Sequence, residues 1–247
     1  MSGAERVIFG FHTVLARLRA DPKSVLEVFL DDARKDARAK DFAVQVERAG
    51  VRLMRVSPSR LEGMAGGGRH QGVVARVQAA TQKQTLEELL ESLQVSPLLL
   101  VLDGITDPHN LGACLRVANA AGAHAVIAPK DHAAGINATV SKVASGAAEI
   151  TPYYMVTNLA RTLADLKDRN IWIVGTDERA EKTIFEADLP QSIAWVLGAE
   201  GAGMRRLTRD SCDLLARIPM QGQVESLNAS VAAGICLFES VRRRTGR

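Results

Sequence analysis

From Leu98 onward, short apolar runs alternate with helical patterns, and this alternation narrows the fold more than any other feature. Strand-sized runs occupy Leu98–Leu102, Ala125–Ala128, Ile171–Gly175, Ile193–Leu197 and Leu214–Ile218. Helical spacing of apolar residues marks Leu111–Ala121, Thr139–Ala147, Leu159–Arg169 and Leu227–Arg243. Strands that alternate with helices at this spacing form a mostly parallel sheet covered on both faces. Ligands of such sheets bind beyond the carboxyl ends of the strands, so the segments after each strand are where chemistry is sought.

The chain before that point reads as a separate, smaller α/β unit. Val7–Phe9 leads into a helical pattern over Phe11–Ala20, and Val25–Leu30 is a strand. Asp36–Ala49 is helical, and Gly50 stands where a left-handed residue ends a helix. Val51–Val56 alternates apolar and basic residues, the period of a half-buried strand. Ser57–Met64 is a short helix with Pro58 in its first position, and a strand over Gly72–Val77 follows Gly66-Gly67-Gly68-Arg69-His70. Between the halves, Gln78–Gln84 is polar and without period, Thr85-Leu86-Glu87-Glu88 can cap a short helix, and Pro97 precedes the first long strand. The division expected is therefore 1–77, a linker over 78–97, and 98–247.

Charge is uneven between these halves. Residues 1–80 carry 14 Lys+Arg against 9 Asp+Glu, a net of +5, whereas residues 81–247 carry 17 against 19, a net of −2. The asymmetry suits an anionic partner for the first half, nucleic acid being the commonest. Aromatic residues are only 4%, which argues against a base-stacking platform. Cys114, Cys212 and Cys236 lie far apart with no C-x-x-C pair, so neither a structural metal site nor a disulfide framework is expected. No apolar run approaches the roughly 20 residues of a membrane span, and the start MSGAERVIFG has no basic region followed by an apolar stretch. A cytoplasmic protein without membrane partner is the expectation.

Three segments after strands stand out. The first, DGITDPHNLGACLR (Asp103–Arg116), follows the Leu98 strand; Asp107 can cap a helix that opens at Pro108. Asn110 and Arg116 are six apart, about 600° around a helix, so they do not share a face and Asn110 belongs in the loop or first turn. Gly112 leaves room for close approach, and His109 is read as a loop residue rather than a base. The second, LGAEGAGM (Leu197–Met204), holds Gly198, Gly201 and Gly203. Its order is G-x-x-G-x-G, and no dinucleotide fingerprint or Walker loop occurs in the chain, which counts against a dehydrogenase. Glu200 at its centre would repel a phosphate but can accept from a sugar hydroxyl or an amino group. The third, RIPMQGQVESLNASVAAGICLF (Arg217–Phe238), ends a strand at Ile218-Pro219 and offers Ser226 as the cap of a long apolar helix.

Taken together, in this order, these segments resemble the three motifs of the SpoU (TrmH) branch of the SPOUT methyltransferases. HQGVVARV (His70–Val77) and GAEGAGMRRLTR extend the likeness, so that it spans essentially the whole chain. The resemblance implies a catalytic α/β domain closed by a deep trefoil knot, a topology that the general absence of knots in proteins would have excluded. It implies an N-terminal domain of ribosomal-protein-like fold that binds RNA, in agreement with the +5 charge, and a homodimer with its active site near the interface. It implies bound S-adenosyl-L-methionine, contacted by Gly198, Ile218 and Leu227, with Thr176 and Met220 beside them. The polar active-site residues carried over are Asn110, Arg116, Glu200, Ser226 and Asn228.

The reaction so implied is methylation of the ribose 2′-hydroxyl of a specific guanosine in 23S rRNA, in the P loop of the peptidyl-transferase centre, on free rRNA or an assembling large subunit. A sulfonium brings its own leaving group, so no metal is expected. A guanidinium is effectively never deprotonated, so Arg116 is read as holding the ribose or its phosphate and stabilising the developing alkoxide. Asn110 and Asn228 would position the ribose, Ser226 would shape the turn around the cofactor, and Glu200 would accept from substrate or orient Arg116. The alternatives are 2′-O-methylation of a transfer RNA and a non-catalytic RNA-binding assembly factor. Nothing in the residues themselves reads guanine.

Overall fold

A computed structural model describes residues 5–78, 84–224 and 226–246. In chain order the first elements are β1 (Glu5–Phe9), α1 (Phe11–Ala20), β2 (Val25–Asp31), α2 (Ala37–Arg48), β3 (Leu53–Val56), α3 (Pro58–Ala65) and β4 (Val73–Gln78). There follow α4 (Leu86–Ser92), β5 (Leu98–Asp103), α5 (Pro108–Ala120), β6 (Ala125–Pro129), α6 (Ala138–Val143) and β7 (Tyr153–Val156). The last are α7 (Leu159–Asp168), β8 (Trp172–Thr176), β9 (Ile193–Gly198), α8 (Arg206–Asp210), β10 (Leu214–Ala216) and α9 (Ala229–Arg244). Contacts divide the chain into two compact units. One is the chain up to Lys83 together with Ile136–Ile150; the other is Gln84–Gly135 with Thr151–Arg247.

The first unit is a four-stranded sheet in the order β1-β4-β2-β3, with β4 antiparallel to β1 and β2, and β3 parallel to β2. Strand alternation sends Ile8, Val28 and Leu30 to one face, where they meet Phe11, Val14 and Leu18 of α1 and Phe42 and Val46 of α2. Phe9, Phe29 and Val74 line the other face with Val56 and Leu61. Asp36 caps α2 by accepting from the Ala39 amide at 3.1 Å, and Gly50 ends it at φ +70°, as the residue types require. Residues 136–150 join this unit through Glu149, whose buried carboxylate takes Arg6 at 2.5 Å and Arg17 at 3.5 Å while Ser141 Oγ donates to it at 3.3 Å. A buried carboxylate survives only with such partners. Gly146, at φ +94°, is bare because a Cβ there would stand 2.6 Å from that of Ala16.

The second unit is a parallel sheet in the order β10-β8-β9-β5-β6-β7. Every residue of β5 is buried, as a strand covered on both faces demands. Leu99, Val101, Ile173 and Val196 pack under Leu86 and Leu89 of α4 and Leu159, Leu163 and Leu166 of α7. The helix that opens after the polar segment is therefore part of this core. Its cap is as the sequence reads: Glu88 N donates to Thr85 Oγ1 at 3.2 Å and Thr85 N to Glu88 Oε2 at 2.7 Å. On the opposite face Trp195 of β9 is fully buried and donates to Ser240 of α9 at 2.8 Å. The polar stretch 79–83 lies outside the described residues.

Several elements differ from expectation for identifiable reasons. The Tyr153–Val156 strand carries four consecutive non-polar or aromatic residues with no alternation, and α8 is a single turn, so neither has a periodic signature. The helix expected over 139–147 stops at Val143, because Ser145 at φ +52° and Gly146 turn the chain into a 3₁₀ turn at Ala147–Glu149. The strand expected to run to Ile218 ends at Ala216. Arg217 instead pairs with the 182–184 segment: its amide donates to the Lys182 carbonyl and its carbonyl accepts from the Ile184 amide. Among the described residues no helix is long and apolar enough to cross a membrane, and no cluster of His, Cys, Asp or Glu could hold a metal ion.

Arg243 near the end of α9 holds the loop between β8 and β9. Its Nη1 donates to the Ala187 carbonyl at 2.7 Å, its Nη2 to Ile184 at 3.1 Å and Phe185 at 2.9 Å, and its Nε to Glu239 at 2.7 Å. Arg243→Ala should destabilise the protein by about 2–3 kcal/mol, since several carbonyls and a carboxylate lose a charged donor together. Equilibrium urea unfolding measures this, and Arg243→Lys should recover little of it because an ammonium lacks the planar fork.

Candidate active site

The carboxyl ends of β8 and β9 and the segments after β10 close around one cavity of about 340 Å³. Its walls come from Thr176–Arg179 after β8, from Leu197–Met204 after β9, and from Ile218, Met220, Ser226 and Leu227 ahead of α9. The strand order explains why these meet. β9 lies between β5 and β8, so segments distant in sequence leave neighbouring strands at the same end.

The glycine segment after β9 is built by local hydrogen bonding. Ala199 N donates to the Gly203 carbonyl at 3.1 Å and Gly203 N to the Ala199 carbonyl at 2.8 Å, folding the segment back on itself. Gly201 and Gly203 take φ of +76° and +68°, a region glycine enters without strain. A Cβ at Gly198 would overlap the Gly203 carbonyl carbon and the Met204 amide nitrogen. Asp103, fully buried at the end of β5, fastens the far side: the Arg205 amide donates to its Oδ2 at 2.8 Å and Arg205 Nε to its Oδ1 at 2.7 Å. Sequence reasoning missed this tie, although an acid ending a wholly apolar run was a visible signal.

All five residues expected to hold a cofactor, Thr176, Gly198, Ile218, Met220 and Leu227, line the cavity, and so do Glu200 and Ser226. Asn110, Arg116 and Asn228 do not. Asn228 joins Asn110, its Nδ2 donating to Asn110 Oδ1 at 2.8 Å, so two residues 118 positions apart form one polar pair. Asn110 sits in the first turn of α5, behind the Asp107 cap, which accepts from the His109 amide at 3.0 Å. His109 is thus an exposed first-turn residue rather than a loop residue. Arg116, farther along the same helix, is exposed and makes no hydrogen bond or ion pair with the described residues.

The assignment of Ser226 as helix cap is corrected by the structure. The cap is Asn228, whose Oδ1 accepts from Ser230 N at 2.9 Å and Ser230 Oγ at 2.7 Å, and α9 starts at Ala229. Asn caps as well as Ser, and starting the helix two residues later leaves Ser226 and Leu227 outside it, in an irregular segment at the cavity wall.

The cavity also holds charged groups that the sequence did not single out: Asp177, Glu178, Arg179 and Arg209. Asp177 takes Arg209 Nε at 2.7 Å. Arg179 stands 3.9 Å from Glu178, so that Glu200 is the lining carboxylate without a cationic partner among the described residues; with apolar walls from Leu197, Ile218 and Leu227 and bare glycine backbone, it suits a ligand with a flat apolar base and positive charge. S-adenosylmethionine, with its adenine, ammonium and sulfonium, has that character, and the residues present fit it. Burial pushes the Cys114 and Cys212 thiols up to about 12 and raises Cys236 further, which disfavours their nucleophilic thiolate forms.

Known proteins give this geometry a context. Residues 97–238 match the SpoU rRNA Methylase family, and residues 7–83 match the family described as RNA 2′-O ribose methyltransferase substrate binding. The 23S rRNA (guanosine-2′-O-)-methyltransferase RlmB of Ralstonia nicotianae is 58% identical over 240 residues, covering 97% of this chain and 96% of that protein. The protein of the same name from Neisseria meningitidis serogroup B is 54% identical, again over 97% of this chain and 96% of its own. Among solved structures, the SpoU methyltransferase AviRb from Streptomyces viridochromogenes, in complex with AdoMet, matches with a TM-score of 0.80 at 26% identity, covering 98% of this chain and 91% of that one. The chain belongs to the SpoU rRNA methylase family.

Proposed function

We propose that this chain transfers a methyl group from S-adenosylmethionine to the ribose 2′-hydroxyl of a specific guanosine of 23S rRNA, in the P loop of the peptidyl-transferase centre. The observation that carries the reading is the convergence of the segments after β8, β9 and β10 on one strand-end cavity suited to that cofactor, with Asn228 of the last of them paired to Asn110 of the segment after β5. The relatives' printed name supplies the RNA and the base.

When bound, S-adenosylmethionine supplies an electrophilic methyl group on a sulfonium that departs as a neutral thioether. Leu197, Ile218 and Leu227 exclude water from one side, and the bare Gly198 backbone permits close approach. Asn110, its Oδ1 already occupied by Asn228, presents Nδ2 as a donor that orients the ribose. Arg116 holds the neighbouring phosphate and stabilises charge on the oxygen as its proton passes to water. Glu200, exposed at the tip of its turn, accepts from a hydroxyl or from Arg116.

The same reading makes residues 1–77 the RNA-binding domain and 98–247 the catalytic domain, with α4 of the expected 78–97 linker built into the core of the second unit and residues 136–150 packed with the first, and with the trefoil knot of the family, in the cytoplasm. It also makes the protein a homodimer. Val231 and Phe238, seven positions apart and so on one face of α9, are 49% and 47% exposed, and α9 meets Val117, the neighbour of Arg116, at Gly234. Pairing through that face would cover the apolar residues and set Arg116 near a subunit boundary.

The test is incubation of the purified protein with S-adenosylmethionine and unmodified 23S rRNA, then nucleoside mass spectrometry. One 2′-O-methylguanosine per RNA, mapped to the P loop, is expected. Methylation of transfer RNA alone would keep the chemistry and overturn the substrate, and intact cofactor binding without any methyl transfer would favour the non-catalytic reading.

A further inference from the structure

We infer that the first unit grips RNA at one end of its sheet and reads the phosphodiester backbone there, not the bases; this rests on the RNA-binding role proposed above and names its face and chemistry. The strand directions bring four connections to that end: Gly10–His12 after β1, Asp31–Asp36 after β2, Val56–Ser57 after β3, and Gly66–Gly72 before β4. Hydrogen bonds lock them together. Asp31 N donates to the Gly72 carbonyl at 2.9 Å, Asp32 N to Val56 at 3.0 Å, Gly10 N to Val73 at 3.0 Å, and Arg34 Nη1 to Gln71 at 2.7 Å.

The loop end gathers exposed cations on its connections. At the opposite end Arg76 is neutralised by Glu5 and Glu27 at 3.3 Å each and Arg52 by Glu27 at 3.8 Å, while Arg19, Lys23 and Arg48 are exposed. At the loop end Lys35, Arg38, Arg55 and Arg69 are exposed and form no ion pair with the described residues. Of the acids at this end, Asp31 accepts from the Ala33 amide and Asp36 takes Arg34 at 2.7 Å and caps α2, which leaves Asp32 and, on α3, Glu62. Arg38 is held in place over the Phe11 ring, 4.5 Å from its centroid, and bonds His12 Nε2 at 3.0 Å.

Backbone is bare beside those cations. Gly10, Gly66 and Gly67 have φ of +92°, +58° and +80°, and a Cβ at any of them would meet nothing within 4 Å. Open glycine backbone flanked by unpaired guanidinium and ammonium groups suits a polyanion that must come close along its length. Phe9, Phe11, Phe29 and Phe42 are all buried, so that among the described residues of the unit the exposed ring is His12, whose Nε2 is already bonded to Arg38. The occupant is therefore the sugar-phosphate backbone of an RNA segment, gripped and positioned here without discrimination between RNAs.

The experiment compares two full-length variants of equal charge change by filter binding to an unmodified 23S rRNA transcript over a range of KCl. One carries Lys35→Gln, Arg38→Gln, Arg55→Gln and Arg69→Gln; the control carries Arg19→Gln, Lys23→Gln, Arg48→Gln and Arg52→Gln. The loop-end variant should bind at least tenfold more weakly at low salt, with a log–log salt slope shallower by about 3, as four lost phosphate contacts require. The control should keep the wild-type slope to within about one contact. The ratio of affinities for 23S rRNA and an unrelated RNA of equal length should stay the same in the loop-end variant, since phosphate contacts carry no sequence. Calorimetry with S-adenosylhomocysteine, unchanged in both variants, certifies the second unit, and circular dichroism the first. Equal losses in the two variants, or no loss in the loop-end one, overturn the assignment of the face. A collapsed affinity ratio overturns backbone reading. Wild-type protein that binds rRNA with this dependence but fails to methylate it refutes the proposed reaction while upholding the face.

Discussion

Replacing Arg116 by alanine should lower kcat for methyl transfer by about 10³-fold while S-adenosylmethionine binds as before, the size of effect seen when a donor to a developing oxyanion is removed. The separation of the two readouts follows from the structure. Arg116 is outside the cavity that the cofactor would fill, is exposed on α5, and supports no other described residue, so its loss should neither unfold the protein nor empty the cavity. Arg116→Lys should recover part of the activity, because a point charge replaces charge but not the two-pronged geometry that suits a phosphate or ribose oxygen. Single-turnover kinetics at saturating RNA, paired with calorimetry for the cofactor, measures both. A variant that loses cofactor binding in step with turnover would remove Arg116 from the role assigned to it. Asn110→Ala should behave more mildly, since Asn228 keeps its bonds to Ser230 and so the cap of α9.

Gly198→Ala should weaken cofactor binding by at least about 100-fold, about 2.7 kcal/mol, through overpacking rather than through any lost contact. The added methyl would overlap the backbone of Gly203 and Met204, and neither can retreat easily. Gly203 is paired to Ala199 in both directions, and the following residue, Arg205, is pinned to buried Asp103. The clash is relieved only by pushing the segment into the cavity or breaking its hydrogen bonds. Gly201→Ala is the informative comparison. Its Cβ would stand in open space, leaving only the cost of φ +76°, about 1–2 kcal/mol in the segment. Equilibrium binding of S-adenosylhomocysteine ranks the two, and a Gly198→Ala protein that binds like wild type would remove the glycine segment from the cofactor site.

Both predictions concern residues visible in the sequence, and their legibility has physical limits. Gly198, Glu200, Ile218 and Leu227 stand out because they follow apolar runs, and an open parallel sheet places ligands there. Asp177, Glu178, Arg179 and Arg209 share that cavity but were passed over, because ordinary charged residues after a strand look like solvated surface until a wall forms around them. Ser226 misled for the opposite reason. Its type satisfies a local rule that Asn228, two residues on, satisfies equally well, and local propensity cannot rank two adequate caps. The Asn110–Asn228 pair had no sequence signal of pairing at all, since 118 positions separate the partners.

What the sequence determined by itself is what short-range periodicity and turn chemistry control: the two kinds of unit, the helix boundaries at Asp36, Thr85 and Asp107, and the parallel sheet implied by wholly apolar strands. Only the tertiary structure decided the strand order that inserts β9 between β5 and β8, the burial of Glu149 among Arg6 and Arg17, and the grip of Arg243 on the loop ahead of β9. Those outcomes depend on which long-range contacts satisfy buried charges and unpaired carbonyls at once, a condition that no window of neighbouring residues contains.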